Sequence, residues 1–180
     1  DNQLTRYHNT SGDTIQSSAI VIDDYTTTTQ NNVAIKADDG ATADITLVLA
    51  PKGNGALSAD KPNGVAAGGN ARGIAAVDFQ MERSAATHVA SGDYSTIGGG
   101  YANTASGNYS TVAGGYQNSA TAFRSSVTGG YLNVAGNTNS IVAGGHTNNS
   151  SGAQSAILGG SDNVITSTAN NSSIVGGSTN

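Results

Sequence analysis

Two carboxylate doublets, Asp23-Asp24 and Asp38-Asp39, supply the residue type that glycoside hydrolysis uses, a pair of carboxyls about 5–10 Å apart. Neighbouring residues on a strand face opposite ways, so each doublet suits a solvated turn better than a catalytic pair. The three histidines, His8, His88 and His146, are scattered, without the i, i+4 spacing or adjacent carboxylate of a metal site. There is no cysteine, hence no thiolate ligand and no disulfide framework. Calcium-binding nonapeptide arrays need an aspartate after each Gly-x-Gly turn. Here the residues after the glycine pairs are Tyr, His or Ser. No Gly-x-x-x-x-Gly-Lys-Ser/Thr phosphate loop occurs. These residues nominate no catalytic group, no metal and no cofactor, and the expectation is a protein that is not an enzyme.

The tyrosines are the binding candidates. Tyr101, Tyr116 and Tyr131 recur at one spacing, and Tyr94 and Tyr109 form a shorter second series. On stacked strands each series becomes a stripe with about 4.8 Å between rings. Aromatic rings flanked by Asn and Ser can hold sugars, with the apolar ring face against C–H groups and the polar edges near hydroxyls. The favoured reading is plainer: the stripe packs on itself or on a neighbouring chain. His146 falls in the same column and reads as a surface substitution.

What must position these rings is a 15-residue repeat. Glycine pairs fall at Gly99-Gly100, Gly114-Gly115, Gly129-Gly130, Gly144-Gly145, Gly159-Gly160 and Gly176-Gly177. Four residues before each pair stands a serine (Ser95, Ser110, Ser125, Ser140, Ser155, Ser172). Two residues after the serine comes a β-branched anchor: Ile97, Val112, Val127, Val142, Ile157 and Ile174. Three residues after each pair stands an asparagine, Asn103, Asn118, Asn133, Asn148, Asn163 and finally Asn180. A fixed short period signifies a stack of similar coils. Side chains alternate along a strand, so Ser95 and Ile97 share one face and Thr96 and Gly98 the other. The glycine pair permits a turn with positive φ or a close approach of chains. Stacked asparagines are expected to form a ladder of side-chain amide hydrogen bonds. The last interval grows to 17 residues, with the surplus read as a bulged turn around Val164-Ile165-Thr166.

One anchor and one alanine (Ala90, Ala105, Ala120, Ala135) per 15 residues is a thin core against the entropy of ordering a rung. The remainder must come from hydrogen bonding between rungs and from surface shared between chains. The position after the anchor runs Gly98, Ala113, Thr128, Ala143, Leu158, Val175 and is the expected chain-to-chain contact. A homo-oligomer is the expected state. A threonine-faced ice-binding solenoid is disfavoured because Thr-x-Thr pairs do not recur.

Composition narrows the classes further. The chain has 180 residues, 11% of them charged, with 25 Gly and only 2 Pro. Disordered chains combine low hydrophobicity with high charge and Pro, and here neither holds while β-branched residues recur in phase. A net charge of −5 gives no basic patch for nucleic acid. No apolar run approaches the ~20 residues of a membrane-spanning helix. Lacking an initiator Met and a signal-type start, and stopping in repeat phase at Asn180, the sequence reads as a piece of something longer.

Charge also divides the chain, since after Ala90 only Asp93, Arg124 and Asp162 are charged. Residues 1–50 read as an N-terminal β region with short runs at Ala19–Ile22, Val33–Ile35 and Ile45–Leu49. Residues 51–89 read as a turn-rich connector. Its leading strand, Ile74–Met81, would shield the first coil with Val77, Phe79 and Met81. Residues 90–180 are the array. The fold expected is all-β: a parallel β-solenoid, or β-roll, of about six 15-residue coils.

The unit Ala105 to Ser119, Ala-Ser-Gly-Asn-Tyr-Ser-Thr-Val-Ala-Gly-Gly-Tyr-Gln-Asn-Ser, resembles the head repeats of trimeric autotransporter adhesins and of similar fibres on phages and large viruses. Leu47 to Leu57 is similar to segments that precede such repeats in phage-type tail fibre proteins. The resemblance implies a left-handed β-roll with three chains side by side, although the period here is longer than is usual in those heads. It also implies a structural and adhesive segment of a viral or phage tail fibre, at the virion surface or extracellular. Its partners would be its own copies and a host-surface glycan or protein, without nucleic acid or membrane insertion. The alternatives are the head of a bacterial trimeric adhesin and a scaffold for a polysaccharide-degrading tailspike.

Overall fold

A computed structural model describes residues 55–60 and 62–180; the expected N-terminal β region lies outside them. Among the described residues thirteen two-residue strands follow one another: β1 Leu57–Ser58, β2 Val77–Asp78, β3 Thr96–Ile97, β4 Thr104–Ala105, β5 Thr111–Val112, β6 Ser119–Ala120 and β7 Ser126–Val127. They continue as β8 Val134–Ala135, β9 Ile141–Val142, β10 Asn149–Ser150, β11 Ala156–Ile157, β12 Val164–Ile165 and β13 Ser173–Ile174. Every pairing is parallel and in register, giving one eight-stranded sheet, β1-β2-β3-β5-β7-β9-β11-β13, and one five-stranded sheet, β12-β10-β8-β6-β4. Each coil of the array thus contributes one strand to the long sheet and one to the short sheet, joined by a corner at each edge.

The core lies between the sheets. The long sheet sends in Ile97, Val112, Val127, Val142 and Ile157, all fully buried, with Ile174 partly buried at the end. The short sheet sends in Ala105, Ala120 and Ala135, then Ser150 and Ile165, with Ala90 preceding them. From β3 to β10 a large side chain of the long sheet faces a small one of the short sheet, and Ile165 takes the small residue's place in the following coil. Ser150 breaks the apolar column and is satisfied by the buried Ser155 hydroxyl at 2.7 Å. Other phased serines bond back to their own turn: Ser95 Oγ donates to Gly92 O at 2.6 Å and Ser155 Oγ to Gly152 O at 2.6 Å.

Several features differ from the sequence reading. The short sheet forms a second strand per rung, where the repeat pattern suggested only one. The 17-residue interval does not bulge at Val164-Ile165, which pairs in register with Asn149-Ser150; the surplus falls in residues 166–168, where Ala169 N–H donates to Thr166 O. The solenoid also begins before the repeat, since β1 and β2 are in register with β3 across longer coils.

The leading strand is inverted with respect to expectation. Phe79 and Met81 are 48% and 71% exposed, and the residue in register with the Ile97 anchor is Asp78, fully buried. Its carboxylate meets Arg72 Nε at 2.8 Å and Arg83 Nη2 at 3.5 Å, and both guanidinium groups are themselves buried. Apolar alternation pointed the wrong face inward because an ion cluster occupies the anchor position. Removing one member of such a cluster leaves uncompensated buried charge. Asp78→Ala is therefore expected to lower stability by about 3–5 kcal/mol, seen as a fall in the melting temperature by circular dichroism.

Candidate functional site

The corner after each long-sheet strand is built around the glycine pair and the asparagine. Gly115 and Gly130 adopt φ of 93° and 90°, a region that glycine enters at no steric cost. Each coil also places a non-glycine residue at positive φ in this corner (Ala102, Gln117, Leu132, Thr147) and another in the opposite corner (Tyr94, Tyr109, Arg124, Asn139). These left-handed residues hold because their N–H groups donate to the preceding coil, for example Gln117 to Tyr101 O at 2.8 Å and Tyr109 to Asp93 O at 2.8 Å.

The asparagine ladder Asn103, Asn118, Asn133, Asn148 and Asn163 is buried throughout. Its bonds run mostly from side chain to backbone, a correction to the expected amide-to-amide ladder. Asn118 Nδ2 donates to Gly114 O at 3.0 Å in its own coil and to Gly130 O at 2.9 Å in the next; its Oδ1 accepts from Asn133 N at 3.0 Å. One side chain thereby ties together two consecutive corners. Amide-to-amide bonds occur only toward the end, from Asn163 Nδ2 to Asn148 Oδ1 at 3.0 Å and from Asn180 Nδ2 to Asn163 Oδ1 at 2.8 Å. At the other end Gln80, absent from the repeat pattern, starts the ladder: its Oε1 accepts from Asn103 N and its Nε2 donates to His88 O at 2.7 Å.

The aromatic series lie along the two edges. Tyr101, Tyr116, Tyr131 and His146 form a continuous stack, with centroids 4.8, 5.0 and 5.0 Å apart and planes within 17°. Within it ring faces cover one another, so the solvent meets mainly edges and hydroxyls. His146 belongs to the stack as a fourth plate, and its Nδ1 lies 2.8 Å from Thr147 Oγ1. On the other edge Tyr94 stacks on Tyr109 at 5.1 Å, and Phe123 meets Tyr109 at 85° with centroids 5.6 Å apart. Arg124 lies over the Phe123 ring, 4.6 Å from its centroid. Phe123 and Arg124 continue the columns of Asp93-Asn108 and Tyr94-Tyr109, and recurrence did not nominate them because the residue type changes at both positions; the visible signal was the single cation of the array.

The outer face of the long sheet carries the residues after the anchor, all exposed, ending in Leu158 at 53% and Val175 at 76%. Ile141, on the same face, is 43% exposed. His88 is held below the usual imidazole range by burial, and Ser84 Oγ lies 3.2 Å from its Nδ1. Asp93 and Asp162 sit on opposite edges of the coil, so the array brings no carboxylates together. Among the described residues there is no group of three or more His, Asp or Glu side chains placed to hold a metal ion, and no helix long and apolar enough to cross a membrane. No family model, curated protein or solved structure matches the chain.

Proposed function

We propose that this chain is a structural and adhesive segment of a homotrimeric fibre, carried on a virus or phage as part of its tail fibre and working through repeated weak contacts rather than catalysis. The observation that carries this reading is the in-register stack. Every rung repeats the same backbone path, and Tyr101, Tyr116 and Tyr131 recur along one edge, so a group that binds one of these rungs meets its equivalent on the next. Binding through several such contacts gains avidity without a strong individual site. The thin core and the exposed Ile141, Leu158 and Val175 support association of chains along the long sheet. In a cyclic assembly about an axis parallel to the solenoid, like rungs lie level and meet like rungs. Light scattering at micromolar concentration is expected to give three times the chain mass. A monomer with intact β-type circular dichroism would contradict the trimer, and depolymerisation of a host polysaccharide by the purified chain would contradict the non-enzymatic reading.

A further inference from the structure

We propose that Phe123 and Arg124, with the neighbouring Tyr109 platform, form a subsite for a carboxylate-bearing pyranose, the hexuronic acid unit of an acidic polysaccharide. This rests on the adhesive reading above and names its ligand. Arg124 is the only Lys or Arg after Ala90, and its guanidinium lies over the Phe123 ring and pairs with no acid among the described residues. A cation held this way keeps its outer N–H groups for a ligand carboxylate, with the planar fork that carboxylates match.

Phe123 stands where the earlier rungs place a hydrogen-bonding side chain. Asp93 Oδ1 accepts from Ile74 N at 2.9 Å and Asn108 Oδ1 from Asp93 N at 3.1 Å. Phenylalanine gives up that link and exposes 41% of its surface. A local rule broken in favour of an exposed ring is what a binding position looks like. Tyr94 and Tyr109, 53% and 50% exposed, extend the aromatic surface across the two preceding rungs. Exposed Asn108 and Asn139 bracket the pair: Arg124 N–H donates to Asn108 O at 3.0 Å and Asn139 N–H to Phe123 O at 3.0 Å. Ring for the C–H face, amides for hydroxyls and guanidinium for the carboxylate together fit an acidic sugar. An acidic peptide would satisfy only the guanidinium.

The full chain is titrated against polygalacturonate, its fully methyl-esterified form and polyglutamate. Polygalacturonate is expected to bind, and more weakly as salt rises. Arg124→Gln should weaken it roughly ten-fold, as for loss of a charge-assisted pair, without changing binding of the ester. Phe123→Asn, which restores the hydrogen-bonding residue type of the earlier rungs, should keep the melting temperature and weaken polygalacturonate similarly. Equal binding by the wild type and Arg124→Gln, equal competition by polyglutamate, or no binding of polygalacturonate would each overturn the subsite. The trimer is read separately by light scattering, so the subsite can fail while the fibre reading stands.

Discussion

Asn118→Ala is expected to destabilise the rod by roughly 3 kcal/mol, because removing a partner from buried polar groups costs about 1–3 kcal/mol for each group left unpaired. The substitution deprives Asn133 N–H of its acceptor and Gly114 O of a donor, while Gly130 O keeps the Tyr116 N–H at 3.0 Å. The affected groups belong to a corner closed by neighbouring coils, where water does not easily replace the amide. For an array of this size the loss corresponds to a fall of roughly 10 °C in melting temperature, measurable by circular dichroism. Asn118→Asp should cost more, since it keeps the acceptor but removes both donations and buries a charge. A melting temperature unchanged in both variants would mean that the ladder contributes nothing.

The two glycines of a pair should respond in opposite ways. A Cβ on Gly115 would overlap Gly130 O and come within 2.5 Å of Asn118 Nδ2, and its φ of 93° is itself unfavourable for a side chain. A Cβ on Gly114 would meet nothing within 4 Å. Gly115→Ala is therefore expected to cost at least about 3 kcal/mol, in the range of large steric and backbone effects, while Gly114→Ala stays within about 0.5 kcal/mol. Urea denaturation of the two variants side by side makes the comparison. Equal midpoints would show that the corner does not have the close inter-coil contact described here. The repeat alone could not distinguish the glycines, because only the path of the next coil reveals which one it crosses.

Much of the array was legible because its period is strict. The anchors Ile97 to Ile157 and the serines Ser95, Ser110, Ser125, Ser140 and Ser155 both face inward, as alternation along a strand requires. The stacked tyrosines followed from the same spacing. What was not legible depends on contacts between unlike segments. The short-sheet strands are pairs such as Thr104–Ala105 and Asn149–Ser150, too short to show a period. The asparagine bonds to backbone depend on where the neighbouring glycine carbonyls point. The inversion at Val77–Asp78 comes from Arg72 and Arg83, whose guanidinium groups make a buried carboxylate tolerable where the repeat has an isoleucine. Phe123 and Arg124 change the residue type of the columns they continue, so a reading built on recurrence passed over them.

The central claim is that the 15-residue rung is the physical unit of the molecule, and excision of one rung tests it most directly. Deleting Ala105–Ser119 joins Thr104 to Ala120, the residue in register with Ala105, and lets Asn103 stack beneath Asn133. Deleting one residue fewer shifts every later anchor out of phase, because side-chain alternation reverses with a one-residue slip. Thermal unfolding followed by circular dichroism should show the 15-residue deletion folded and cooperative with a shorter array, and the 14-residue deletion largely unfolded. Equal behaviour of the two deletions, or loss of folding in the first, would contradict the rung as the unit of this structure.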